Sequence, residues 1–393
     1  MRSTFHLSLF LIIACSIIFG LHFYIWARLI RDTGLKNPWR WMATLVLVVL
    51  ALSIPTGLIL TRSAVRFALE PFLWAVYTWL GAAFFCAVLL AAVDLLKLMT
   101  VTIPLAIQRK PLNAERRQFL AMMTGGVVLL ADLGLSLTAL WNAGTSAVQI
   151  KRVRVSLSKL PPALEGYRLV QISDVHVGPL IHGDFVRTIV SEINALKPDL
   201  IAITGDLVDG TVAQLQSQLG SLRDLKAKNG VFFVTGNHEY YTDDVDGWLA
   251  WLTGIGIRPL RNERVTIRKG FDLAGTDDFN ARGKGHGQNI PQALANRKTD
   301  RPVILMAHQP RSFFEAQSLG VDLQLSGHTH GGQLFPFSFI VSLVQPYIAG
   351  LYRKGNSQIY VSRGTGYWGP PMRLGSPAEI TEITLSAAQG ESV

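Results

Sequence analysis

The sequence predicts an α/β protein: two β-sheets packed together with helices outside, preceded by four helices that cross a membrane. Three observations carry that expectation. Apolar residues crowd into the first 141 of the 393 positions. Beyond about residue 166, short apolar runs alternate with helical stretches and later give way to hairpin-like pieces. Five of those runs lead into small clusters of Asp, Asn and His: Asp174-Val175-His176, Gly205-Asp206 with Asp209, Gly236-Asn237-His238-Glu239, His308, and Gly327-His328-Thr329-His330.

The membrane region covers residues 1–141, with spans at about 7–27, 41–60, 72–93 and 119–141. A buried core helix would be shorter and carry a polar face; the first three segments are long and nearly uncharged. Asp94 falls near the end of its span. Asp132 lies mid-span, where an ionised carboxylate costs about 2.5–3.5 kcal/mol, so it pairs inside the bundle, makes an ordinary polar contact, or marks a shifted register.

The net charge of +10 is uneven: up to residue 150 there are 12 Lys and Arg against 5 Asp and Glu. The excess flanks the spans, and no basic stripe marks the rest, so nucleic-acid binding is not indicated. Arg28, Arg31, Lys36 and Arg40 follow the first span; Lys97, Arg109, Lys110, Arg116 and Arg117 precede the fourth. Arg2, Arg62 and Arg66 are the sparse charges on the other side. The positive-inside rule puts the rich loops in the cytoplasm and everything after the fourth span outside it. Lys151, Arg152 and Arg154 run against this, but long domains translocate largely regardless of charge. Glu115-Arg116-Arg117-Gln118-Phe119-Leu120 resembles a twin-arginine export motif and points the same way. The expected location is a multi-pass bacterial inner membrane with the soluble part extracytoplasmic. Cys15 and Cys86 both fall inside spans, so the soluble part has no thiol chemistry.

Residues 142–165 read as a linker, opening with Asn142, Gly144 and Ser146 and closing with Pro161-Pro162; Val153 and Val155 offer an edge strand. Residues 166–385 form the main soluble domain and 386–393 a tail. Strands are expected at 169–172, 200–204, 231–235, 303–307, 321–325, 358–362 and 379–385, with a hairpin over 264–268 and 271–274. Helices are expected at 185–196, 212–226, 246–254 and 310–318. Residues 334–351 are apolar and aromatic but interrupted by Pro336 and Pro346, so they do not span a membrane. They read either as local core packing or as a loop that lies on lipid or holds an acyl chain.

Any one Asp/His cluster is weak evidence of chemistry. Five together, each after a strand, supply the oxygen and nitrogen ligands of two divalent cations. Two metals sharing a carboxylate suit phosphoryl transfer, with a metal-bridging hydroxide attacking phosphorus. Mixed N/O ligation without cysteine fits Mn, Fe or Zn.

The order and spacing of these motifs resemble the calcineurin-like metallophosphoesterase superfamily over about residues 166–385. Gly327-His328-Thr329-His330-Gly331-Gly332-Gln333 is most similar to a bacterial membrane-associated or exported subgroup. The resemblance implies an αββα four-layer sandwich as the catalytic domain. It implies Asp174, His176, Asp206 and His330 as ligands of one metal, with Asp206 bridging. Asn237, His308 and His328 complete the second, and Asn237 belongs with His238 to the catalytic group. His238 would stabilise or protonate the leaving oxygen. Asp209 and Glu239 would support from behind. One departure stands out: the superfamily's protein Ser/Thr phosphatases have an Arg where Gly210 follows Asp209 here.

The expected activity is therefore a phosphodiesterase-like, metal-dependent hydrolase cleaving phosphodiester or pyrophosphate bonds, with lipid-linked esters favoured by the membrane anchor. A phosphomonoesterase or protein phosphatase is the alternative. A non-catalytic membrane sensor predicts a missing ligand, and none is missing. A transporter has too few polar groups in its spans.

Overall fold

The computed structural model describes residues 2–61, 63, 65–102, 113–144, 148–281, 283 and 285–387. Arg62, Arg109, Lys110, Ser146 and the tail beyond Ala387, all used in the sequence reading, lie outside them. The chain divides into two compact units, one of residues 1–140 with 369–372, the other of 141–368 with 373–393.

The first unit is built from four helices: α1 (Arg2–Trp26), α2 (Trp39–Leu60), α3 (Glu70–Lys97) and α4 (Ala114–Ala143). Each contains a stretch long and apolar enough to cross a bilayer. Large apolar side chains face outward, among them Leu45, Ile59 and Leu130, while Ile25, Leu47, Ala83, Cys86 and Val128 pack inward. Asp94, near the end of its span, accepts from Tyr24 Oη at 2.6 Å and Arg28 Nε at 2.8 Å. Asp132 is buried, and its Oδ1 has no hydrogen-bond partner.

The second unit has two six-stranded sheets. The first comprises β1 (Gln149–Leu157), β2 (Tyr167–Ile172), β3 (Leu200–Thr204), β4 (Val231–Val234), β5 (Ile257–Pro259) and β12 (Glu379–Ala387), in the order β1-β12-β2-β3-β4-β5. The second comprises β6 (Glu263–Ile267), β7 (Phe271–Gly275), β8 (Val303–Met306), β9 (Leu323–Ser326), β10 (Gly350–Lys354) and β11 (Ser357–Val361), in the order β10-β11-β9-β8-β7-β6. Strands β2 to β5 are parallel, as are β7, β8, β9 and β11. Parallel strands are covered on both faces, and β3, β4, β8 and β9 are buried along their length.

Between the sheets lies one apolar core. Leu169, Ala202, Phe232 and Val234 of the first sheet belong to it, with Leu273, Ile304, Met306 and Leu325 of the second. Outside the first sheet, α5 (Gly183–Ala195) buries Phe185, Val186, Ile189, Val190 and Ile193, spaced along one helical face. The helix α6 (Val245–Gly254) buries Trp248 and Leu252. Outside the second sheet, α7 (Phe313–Ser318) buries Phe313 and Ala316. The result is an α/β four-layer sandwich, αββα, preceded by the four apolar helices.

Three local expectations need correction. Residues 212–226 do not form one helix: a capped turn over Val212–Leu215 is followed by a 3-10 turn at Gly220–Asp224, because Gly220 weakens helix propagation midway. The stretch 142–165 is more than a linker: the edge strand that Val153 and Val155 offered forms as the nine-residue β1, pairing in parallel with β12. Within 334–351, residues 337–344 form a short helix, α8 (Phe337–Val344), that buries none of its side chains, so neither local core packing nor a plain loop describes it.

Candidate metal centre

The cluster residues leave the ends of neighbouring parallel strands, β2, β3 and β4 in one sheet and β8 and β9 in the other. Tight turns then fold the ligating side chains back over the sheet edges. Asp174, His176, Asp206, His328 and His330 all have positive φ, between 50 and 73°. Such backbone is costly for a residue with a Cβ and persists where the surroundings enforce it. Two glycines make the fold-back possible. A Cβ on Gly236 would collide with the Asp206 carboxylate and amide, and one on Gly327 with Asp174 and Ser173.

The side chains converge. Three overlapping groups have ligand atoms all within 4.8 Å of one another: Asp174, His176 and His330; His176, Asp206 and His238; Asp206, His308 and His328. His176 Nε2 lies 3.1 Å from His330 Nε2 and 3.9 Å from Asp206 Oδ2. His330 Nε2 is 3.6 Å from Asp174 Oδ1. Asn237 is buried beside His238, and its Oδ1 has no partner while Nδ2 donates to Tyr241 Oη at 3.2 Å. The backbone amide of His238 donates to Asp206 Oδ1 at 2.8 Å, tying the third cluster to the second.

The donor set fits cations. His308 Nδ1 faces the Thr204 carbonyl at 2.8 Å, so Nδ1 carries the proton. Its Nε2 is then a lone pair 3.1 Å from Asp206 Oδ2, two acceptors face to face in a buried space. Nε2 accordingly stands without a hydrogen-bond partner, as does Asn237 Oδ1. Either a second proton on the imidazole or a cation between them resolves the contact. Burial works against the charged ring, but Asp206 and Asp174 outweigh it and hold His308 well above the usual histidine range. Burial works to raise Asp206, but the surrounding histidines outweigh it and hold the carboxyl well below the usual range, whereas burial and the Asp206 charge raise Asp174. Burial and the neighbouring His308 lower His328 to about 3, and burial with His176 and Arg373 lowers His330. Both rings are neutral, the form in which imidazole donates to a metal.

Around the centre, Asp209 Oδ1 contacts His238 Nδ1 at 2.5 Å and His176 Nδ1 at 3.2 Å. Burial works to lower His238, yet Asp206 and Asp209 raise it to about 9. Glu239 is fully buried and accepts from the amides of Gly236, Leu207 and Asp206 at 2.6, 2.7 and 3.1 Å. Burial, then the Asp206 charge, raises its carboxyl to about 7. All ten residues singled out in the sequence thus gather in one place. Sequence reasoning missed Arg373, which has no exposed surface. Its Nη2 lies 3.2 Å from His330 Nδ1, and its other nitrogens reach the carbonyls of Gly366 and Ser376. Tyr241 and Trp368 were missed too; their rings lie 4.9 and 6.1 Å from that of His238.

The family model for calcineurin-like phosphoesterase matches residues 167–332. A zebrafish (Danio rerio) protein named as a transmembrane protein with metallophosphoesterase domain is 40% identical over 274 residues, 67% of this chain and 62% of that relative, so the chain spans under two thirds of its length. A protein of the same name from Bos taurus is 37% identical over 336 residues, 81% of this chain and 75% of the relative. A metallophosphoesterase of Campylobacter jejuni is 30% identical over 376 residues, covering 94% of this chain and 96% of its own length. That last likeness runs through both units, and with the strand-end motifs gathered around Asp206 it identifies the chain as a member of the calcineurin-like metallophosphoesterase family.

Proposed function

We propose that the chain is a membrane-anchored, dinuclear metal-dependent phosphoesterase that hydrolyses phosphodiester or pyrophosphate bonds, lipid-linked ones among them. The observation that carries this is the overlap of three ligand groups through Asp206 and His176. Asp174, His176, Asp206 and His330 would hold one ion; Asp206, Asn237, His308 and His328 would hold the other. Manganese, iron or zinc suits such a donor set. When bound, the ions would supply Lewis acidity toward the phosphoryl group and acidify water near neutral pH.

The chain's own residues do the rest. His238, charged at neutral pH and aligned by Asp209, can hand a proton to the departing oxygen. Glu239 pins the amides of the Asp206 turn and so fixes the shared carboxylate. Gly210 bears on the substrate: without a guanidinium beside Asp209, a dianionic monoester forgoes more Coulomb attraction than a singly charged diester does. Residues 166–385 are the catalytic domain in this reading. The four apolar helices hold it at a bacterial inner membrane, and the loop charges support an extracytoplasmic orientation.

The test uses full-length protein, purified in detergent and loaded with manganese, against bis-p-nitrophenyl phosphate and p-nitrophenyl phosphate. Higher kcat/KM for the diester is expected. A preference for the monoester would make the protein a phosphomonoesterase, and a folded protein that binds no transition metal would end the reading altogether.

A further inference from the structure

Helix α8 buries none of its residues, and Ser338 and Ser342 are its only polar side chains. Phe339, Ile340, Leu343 and Val344 are 64, 54, 83 and 64% exposed. A water-soluble surface does not ordinarily carry such a patch without an occupant. Beside it opens a cleft of about 620 Å³, with Leu343 and Val344 on one wall and Phe279 and Phe314 on the other.

The cleft is continuous in sequence with the candidate metal centre on both walls. One wall begins two residues after His308, at Pro310–Ser312, and runs into α7. The other follows His328–Gln333 directly and reaches α8 through Leu334–Pro336. At the cleft sits Arg311. Its Nη2 donates to the Val344 carbonyl at 3.3 Å, its guanidinium lies over the Phe279 ring at 5.5 Å, and its buried Nε has no partner. Arg311 also stands close enough to His328 to act on its charge. One carboxylate, Glu315, lines the same cleft and accepts from Gln288 at 3.2 Å. An apolar trough with a cation within electrostatic reach of His328 complements an amphiphile with an anionic phosphoester at one end and a hydrocarbon chain at the other.

From this we infer that the cleft between α7 and α8 seats the hydrocarbon tail of an amphiphilic phosphoester whose phosphoryl group lies at the metal centre, with Arg311 beside the head group. The inference rests on the phosphodiesterase reading and names its substrate class. It makes Leu343 and Ser342 binding residues for the tail and Arg311 a specificity residue.

The experiment uses full-length protein in nanodiscs and a series of alkyl p-nitrophenyl phosphates with tails from ethyl to dodecyl. Partition into the disc raises local concentration equally for every variant, so differences between proteins report the cleft. In the wild type, kcat/KM should climb by roughly two- to four-fold for each methylene seated. Leu343→Asp, at a fully solvated position, and Ser342→Trp, which fills the trough, should both flatten that slope. A second readout needs no metal: with Cys15 and Cys86 replaced by alanine and Leu343→Cys labelled with bimane, dodecyl phosphate should blue-shift the emission and inorganic phosphate should not. Parallel slopes for wild type and both variants overturn the tail seat, while hydrolysis of the short members keeps the diester reading. No hydrolysis of any member, with the bimane shift intact, removes the diester reading and keeps the seat. Emission that follows protein concentration rather than dodecyl phosphate assigns the cleft to a second copy of the chain.

Discussion

Arg373 donates from Nη2 to His330 Nδ1 across 3.2 Å, with both residues buried. Burial lowers the guanidinium only to about 10, so it is charged at neutral pH, and its remaining donors saturate backbone carbonyls. Arg373→Ala would leave those carbonyls and the ring nitrogen unpaired, at about 1–3 kcal/mol for each group stranded from water. The expected result is a melting temperature many degrees lower and poor metal retention, read by thermal unfolding and by metal analysis of the same sample. Arg373→Lys should recover part of the stability. Unchanged metal content in a folded Arg373→Ala protein would show that His330 is oriented by other contacts.

His238 belongs to one of the three ligand groups, yet the proposed role is proton donation rather than ligation. His238→Ala should lower kcat by about 10²–10⁴ and leave metal stoichiometry at the wild-type level. A loss of one ion per chain on metal analysis would make His238 a ligand instead.

Gly236 approaches Asp206 too closely to accept a side chain. Gly236→Ala should cost about 1–3 kcal/mol through overpacking and displace the shared carboxylate. Diester hydrolysis should then fall more steeply than stability does, since the displaced group serves both proposed ions. Wild-type turnover in this variant would mean that Asp206 is not shared.

Asp199 gives the pH dependence a location away from the centre. It accepts from the Arg168 amide at 2.9 Å and from Lys228 at 2.8 Å. Burial works to raise its carboxyl, but those two donors outweigh it and hold it below the usual range. Its contribution to stability is therefore complete above the unfolded value of about 3.9 and is lost as pH falls through the folded value. Asp199→Asn should be less stable than wild type by about 1 kcal/mol at pH 7, mostly through the amide bond because Lys228 is largely solvated. The gap should close below about pH 4. A gap independent of pH would trace the effect to packing.

The strands that lead into the clusters were legible because most combine an apolar run with a terminal glycine or acid, a purely local signal. Leu200–Thr204 before Gly205-Asp206 is an example, and the strand found there has those bounds. Val303–Met306, which runs into Ala307-His308, has only the apolar run and the histidine. Arg373 was not legible. Pro370, Pro371 and Gly375 flank it and read as surface loop, and its burial depends on carbonyls of Arg363 and Gly366 across a turn of the chain. Helix α8 was missed because Pro336 was weighed as a breaker, although proline at the start of a helix costs no hydrogen bond. The edge strand β1 was only half seen. Its exposed lysine and arginines mask a register supplied by a partner some 230 residues later.

That pairing has a consequence for how the protein is made. Strand β12 lies between β1 and β2, so the sheet cannot close until Glu379–Ala387 have left the ribosome. Until then the strand nearest the last apolar helix has nothing to zip onto, and β2 presents a raw edge. A nascent chain halted before Glu379 would show two unpaired borders, which makes β12 the clasp of the whole domain.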